Sequence, residues 1–205
     1  MPKSRSRRDN NLRLHIAYLA ARMIAEDGIA DYATAKQKAA RQAGLSEMHL
    51  LPDNAEIEAA LREYQDLYQK EEQPAHLRRL REVAVEVMRE FADFRPALVG
   101  SVLSGTAGQY SDVNLQLFTD DVKVLQIFLL NRRYRFEEGT KRLARGERLE
   151  EVPQITLDWE DATVTLTVLD RDDERIAPRA KLENGAPARA RLAEVEALLA
   201  ASRAP

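Results

Sequence analysis

Two short segments separated by a ten-residue gap decide how this chain is interpreted: Leu98-Val99-Gly100-Ser101 and Asp112-Val113-Asn114-Leu115. The first places a Gly-Ser turn directly after an apolar strand candidate, and the backbone N–H groups and hydroxyl of such a turn can contact a phosphate. The second places Asp112 at the start of the next predicted strand, where a carboxylate can hold a divalent cation. Together they indicate a phosphate-binding and metal-binding site.

The composition is that of a globular protein with its own hydrophobic core. The chain has 205 residues, of which 44% are hydrophobic and 32% are charged, which suits one large domain or two small ones. A net charge of −3 gives no general attraction to nucleic acid, and the lack of cysteine excludes disulfides and thiolate metal sites. Because the sequence shows neither a membrane-spanning run nor a signal-peptide core, we expect a cytoplasmic protein without a membrane partner.

The first half of the chain is predicted to be helical, because its apolar residues recur at helical spacing. Gly28 and Gly44 are placed to end the first two helices, and Asp53 or Asn54 can cap the third. Pro74 suits the first turn of the fourth helix. The residues predicted to point inward from the third and fourth helices are Ile57, Ala60, Leu61, Tyr64, Leu67, Leu77, Leu80, Ala84, Val87, Met88 and Phe91.

The second half predicts a mixed sheet. Strands are expected at residues 97–99 and 113–118, followed by a helix capped by Thr119 or Asp120. Residues 155–159 and 163–169 alternate as a hairpin, and a last helix is expected at about residues 188–201. The charged, non-periodic segment 139–151 is expected to be an excursion over the sheet.

The fold class is therefore α+β, with an N-terminal helical region, residues 1–95, followed by a mixed sheet with flanking helices, residues 96–205. The fourth helix equally suits the sheet domain, packed on its face. In that case the domain boundary precedes the fourth helix instead of lying near residues 93–97.

The two opening segments resemble the motif of the polymerase-beta-like nucleotidyltransferase superfamily. In that family an apolar residue precedes Gly-Gly or Gly-Ser, and an acid-x-acid pair follows on the next strand after a similar gap. The order of strand, Gly-Ser turn, strand, helix and further strands over residues 97–170 also agrees. The resemblance implies a nucleotidyltransferase-like domain that binds a nucleoside triphosphate and Mg²⁺ and transfers a nucleotidyl group to an acceptor.

The resemblance also implies roles for individual residues. The Gly100 backbone and Ser101 would cradle the triphosphate, Asp112 and Asn114 would be the catalytic metal ligands, and Asp158 would assist as a third ligand. Asn114 stands where the family has its second acid, and its amide oxygen is neutral. Two Mg²⁺ ions about 3.5–4 Å apart need concentrated negative charge, so we expect a degraded metal site, and whether the chain is an enzyme stays open.

The sequence also supports two other hypotheses. One is a non-catalytic scaffold that binds a nucleotide or a protein in the same cleft. The other is a DNA-associated protein that uses the helical half, where Lys36, Lys38 and Arg41 lie between two glycine turns, loosely like a helix-turn-helix. Candidate cations for a phosphate are Arg132, Arg133, Arg135, Lys141, Arg142 and Arg145.

Overall fold

The computed structural model describes residues 3–29, 31–44, 51–145, 148–176 and 188–202. The architecture is α+β, and the chain divides into two compact units. The helical unit contains the described residues up to His76 together with Thr106–Ser111, and the sheet unit contains Leu77–Gly105 and the described residues from Asp112 onward. This division differs from the predicted one after residue 95, because the fourth helix groups with the sheet from Leu77 onward.

The described elements are, in chain order, seven α-helices and five strands. The helices are α1 Lys3–Asp27, α2 Tyr32–Gln42, α3 Asn54–Tyr68, α4 Glu72–Glu90, α5 Ser101–Ser104, α6 Val122–Asn131 and α7 Leu192–Ala201. The strands are β1 Ala97–Val99, β2 Val113–Phe118, β3 Phe136–Arg145, β4 Arg148–Trp159 and β5 Ala162–Leu169. Among the described helices, none is both long enough and apolar enough to cross a membrane.

In the helical unit, α1 packs against α2 and α3. Asp53 caps α3, because its carboxylate accepts a hydrogen bond from the Glu56 backbone N–H (2.8 Å) while Glu56 accepts one from the Asp53 N–H (2.7 Å). Alanines fill the α1–α2 contact, where Ala35 and Ala39 are fully buried. The prediction that Leu67 points inward was wrong: its side chain is 73% exposed, because the apolar periodicity of α3 continues past the packed part of the helix.

The sheet unit is organised by a five-stranded mixed sheet in the order β1-β2-β5-β4-β3. The central strands β2 and β5 are parallel, and the other neighbouring strands are antiparallel. Side chains alternate between the two faces, so one face carries the apolar residues of the central strands. The opposite face, called the polar face below, carries Asn114, Gln116, Thr156, Thr165 and Thr167.

The structure corrects three predicted segments. Residues 139–145 and 148–151 do not form an excursion, since they belong to β3 and β4, which pair with each other. Asp121, rather than Thr119 or Asp120, caps α6 by accepting from the Lys123 N–H (2.9 Å). The last helix begins at Leu192 and not at residue 188, because Ala190 is held in extended pairing with Leu98.

Candidate functional site

The turn between β1 and α5 brings the two opening segments together. Gly100 has φ 76°, a conformation that favours glycine, and so lets the chain turn directly from β1 into α5. The antiparallel register places Val99 opposite Asn114. A Cβ atom on Gly100 would lie 3.7 Å from the Asn114 Cβ, so the Gly-Ser turn and the Asp-x-Asn segment are neighbours on the polar face. The structure therefore has the juxtaposition that the sequence spacing predicts.

Asp112 is an acid in an unfavourable environment. It lies directly before β2, and it is neither fully exposed nor fully buried. Within the described part of the chain its carboxylate has no hydrogen-bond or ion-pair partner. Burial raises the pKa of Asp112, because removing water from a carboxylate disfavours its charged form. An unpaired, desolvated acid beside a turn is typical of a binding site.

Asn114 is held by a local contact. Its Nδ2 donates a hydrogen bond to the backbone carbonyl of Asp112 (3.1 Å). This bond orients the amide, and it leaves the side-chain oxygen as the acceptor that a ligand can use. In the strand register Asn114 lies opposite Thr165, which is buried on the polar face.

The predicted metal ligands do not fit a pair of Mg²⁺ ions. Asp112 and Asn114 offer one carboxylate and one neutral oxygen. Asp158 is opposite Thr163 on β5, and β5 separates β4 from β2. Two strand spacings, about 10 Å, therefore lie between Asp158 and β2, which is too far for the three side chains to share an ion. Within the described ranges, no three His, Cys, Asp or Glu side chains are grouped so that they could hold a metal.

Ser101 is the other predicted ligand of a phosphate. Its side chain is half-buried at the start of α5, and its hydroxyl has no partner among the residues described. Since α5 is a single turn of four residues, its dipole is small. Any phosphate contact here would therefore depend on the Ser101 hydroxyl and on individual N–H groups of the turn.

Two of the candidate cations are already paired with acids. Arg132 pairs with Glu90 (3.1 Å) and Arg142 pairs with Glu151 (3.0 Å). Lys141 lies opposite Val152, which packs in a cluster with Ala97, Phe118 and Leu169 at the end of β1 and β2 away from the Gly100-Ser101 turn. Lys141 and Arg142 are therefore not placed to contact a phosphate bound at Ser101.

Arg189 is a residue of the polar face that sequence reasoning missed. Its Nε donates to the side-chain oxygen of Gln116 (2.8 Å), and its Nη1 donates to backbone carbonyls, including that of Asp173 (3.2 Å). The guanidinium lies 4.8 Å from the centre of the Phe118 ring. Burial, with the neighbouring Arg191, lowers the pKa of Arg189. The chain carries no local signal for this placement, because the pairing of Ala190 with Leu98 brings a distant segment to β1.

Comparison with known proteins adds no family to this description. No family model matches the chain, and no curated protein matches it.

Proposed function

We propose that the sheet unit is a nucleotidyltransferase-like module that binds a nucleoside triphosphate on its polar face, beside the Gly100-Ser101 turn. One observation carries the proposal: the turn lies next to Asn114 and close to a half-buried Asp112 carboxylate that has no partner among the described residues. Desolvating an acid without pairing it destabilises a fold. Such an arrangement is best explained by a ligand that completes it.

In this proposal each group contacts the part of the nucleotide that suits its chemistry. The Ser101 hydroxyl and the N–H groups of the turn donate to phosphate oxygens. The Asp112 carboxylate and the Asn114 oxygen accept hydrogen bonds from hydroxyl or amino groups of the nucleoside. Arg189 donates to Gln116, which lies two residues beyond Asn114 along β2, about 7 Å away. It supplies positive charge on the face where the phosphates lie.

The proposal is for binding and does not include nucleotidyl transfer. The superfamily's reaction uses two closely spaced Mg²⁺ ions held by several carboxylates. Asp112 and Asn114 lack that charge, and Asp158 is about two strand spacings away. Nucleotidyl transfer therefore stays a prediction from the resemblance.

The experiment is calorimetric titration of the full chain with each of the four ribonucleoside triphosphates, in the presence and absence of Mg²⁺. Asp112→Ala and Ser101→Ala are compared with wild type, and Asp66→Ala, which removes an exposed acid on α3, is the matched control. We expect binding to at least one triphosphate, a weaker affinity in both site variants and no change in the control.

The same titration distinguishes the alternatives. Binding that requires Mg²⁺ and is lost in Asp158→Ala as well as in Asp112→Ala would favour a three-ligand metal site over the proposal. If no triphosphate binds to the folded wild-type chain, the nucleotide proposal fails, and a protein-binding scaffold becomes the better hypothesis.

A further inference from the structure

The two outer edges of the sheet differ in whether their backbone is paired. On β1 the edge is closed, because Leu98 and Ala190 exchange two backbone hydrogen bonds of 2.8 and 2.9 Å. The opposite edge is β3, a ten-residue strand that pairs with β4 on one side only. Among the described residues no backbone group bonds to its outer side. An open edge of this length can accept another strand.

Gly139, in the middle of β3, is not required by any contact among the described residues. Its φ is not positive, so the backbone does not need glycine there. A Cβ atom would meet no described atom within 4 Å, so packing does not require it either. Glycine inside a strand is destabilising relative to alanine. It often marks a point where another backbone approaches closely.

The charges on either side of Gly139 complement each other under a twofold rotation. Glu137 and Lys141 lie on the polar-face side of β3, two residues before and two residues after Gly139. Neither has a hydrogen-bond or ion-pair partner within the described residues. If two β3 strands pair antiparallel about Gly139, each Glu137 comes directly opposite the other copy's Lys141.

A second feature of the same edge is an exposed apolar stripe on α6. Ile127 and Leu130 are 57% and 63% exposed. Gln126 on the same helix donates to Glu138 of β3 (2.6 Å), which places α6 beside the edge strand. Leu130 follows Gln126 by four residues and so shares its helix face. A twofold axis perpendicular to the sheet keeps the α6 helices of two copies on the same face, next to each other.

We infer that β3 is an interface between two copies of this chain. The two strands pair antiparallel about Gly139, so that the sheets of both copies form one continuous sheet. Two Glu137–Lys141 pairs set the register, and the apolar stripes of the two α6 helices are covered in the same contact. An isologous contact of this kind closes on itself and gives a dimer.

The test is sedimentation velocity of the full chain from low to high micromolar concentration. We expect a reversible equilibrium between one and two copies. Glu137→Lys and Lys141→Glu each create two like-charge contacts and should raise the dissociation constant about tenfold or more. The double variant Glu137→Lys/Lys141→Glu should recover most of the wild-type affinity. Glu63→Lys, on an exposed position of α3, makes the same charge change elsewhere and should have no effect.

Recovery of dimer affinity in the double variant distinguishes this proposal from a simpler role for Glu137 and Lys141. If the charges only keep the edge strand from aggregating, the double variant would restore nothing specific. A monomer at every concentration overturns the inference. So does a dimer whose affinity is unchanged by both single variants, since its interface would lie elsewhere. Hydrogen exchange of residues 136–145 gives an independent readout, because their protection should rise with concentration only if β3 is the interface.

Discussion

The centre of the sheet and the outer half of the β3–β4 hairpin are both built of paired strands, but their side chains differ. Those of the centre are mainly apolar and buried, whereas those of the outer half are mainly charged and exposed. The central strands β2 and β5 have both neighbours in place, and Val113, Leu115 and Leu117 are fully buried. Before Gln154, β4 pairs with β3 but not with β5. That two-stranded part carries charged side chains, such as Arg142 and Glu151, which pair with each other at 3.0 Å.

This difference shows where the stability of the sheet unit resides. Buried apolar area supplies most of the favourable free energy of folding. An exposed ion pair contributes about 0–1 kcal/mol. The central strands therefore anchor the candidate site, while the outer hairpin is free to vary in composition and to serve as a contact surface.

The largest expected effect tests this comparison directly. Leu115→Ala removes a fully buried side chain from β2 and should lower the free energy of unfolding by about 2–5 kcal/mol. Leu149→Ala makes the same chemical change on β4, where the side chain is 71% exposed. It should change the free energy of unfolding by less than about 0.5 kcal/mol. Urea denaturation followed by circular dichroism measures both, and equal losses would contradict the comparison.

The same contrast explains which parts of the fold could be predicted from sequence. The strand at residues 113–118 is confirmed, because one buried face and one polar face produce a clear alternation. The outer part of the β3–β4 hairpin was missed, because charged and exposed side chains surround Val152, its one buried residue among the described side chains, and so no regular alternation appears. Strand pairing over long sequence separation leaves no local pattern either.

The candidate site likewise has one part that the sequence predicts and another part that it does not. The approach of Gly100 to Asn114 follows from strands that are neighbours in sequence, and the spacing of the motif predicts it. The distance of Asp158 from β2 depends on the order β2-β5-β4, which no local pattern contains. Arg189 reaches the polar face through the pairing of Leu98 with Ala190, so sequence reasoning had no means of finding it.

A smaller effect is expected from an acid that is paired. Glu174 accepts hydrogen bonds from Arg95 (2.9 Å) and Arg191 (2.7 Å), and these two arginines lower its pKa. A lowered pKa in the folded state stabilises the fold above the ordinary pKa of glutamate, and this stability is lost as the pH falls. At neutral pH, Glu174→Gln should lower the free energy of unfolding by about 0.5–1 kcal/mol.

The pH dependence supplies the control for that variant. The difference between wild type and Glu174→Gln should shrink on acidification, as Glu174 becomes protonated. Asp172→Asn, at an exposed position two residues away, should leave the free energy of unfolding nearly unchanged. Denaturant titrations at a series of pH values measure both. A difference that persists at acid pH would mean that the glutamate acts through packing instead of charge.

The smallest effect on stability, and of opposite sign, is expected at Asp112. Burial raises the pKa of this acid, so its charged form destabilises the folded state at neutral pH. Asp112→Asn should therefore raise the denaturation midpoint slightly at neutral pH. The gain should vanish as the pH falls and wild-type Asp112 becomes protonated. The measurement is the midpoint of thermal unfolding of both chains across this pH range.

The value of this variant is that stability and binding should change in opposite directions. A residue that serves only the fold would not improve it when replaced, whereas a binding residue can be retained despite a cost in stability. Asp112→Asn should thus be more stable than wild type at neutral pH and bind nucleoside triphosphate more weakly. If the variant is instead less stable at neutral pH, Asp112 has a structural partner, and the carboxylate no longer distinguishes this part of the sheet as a binding site.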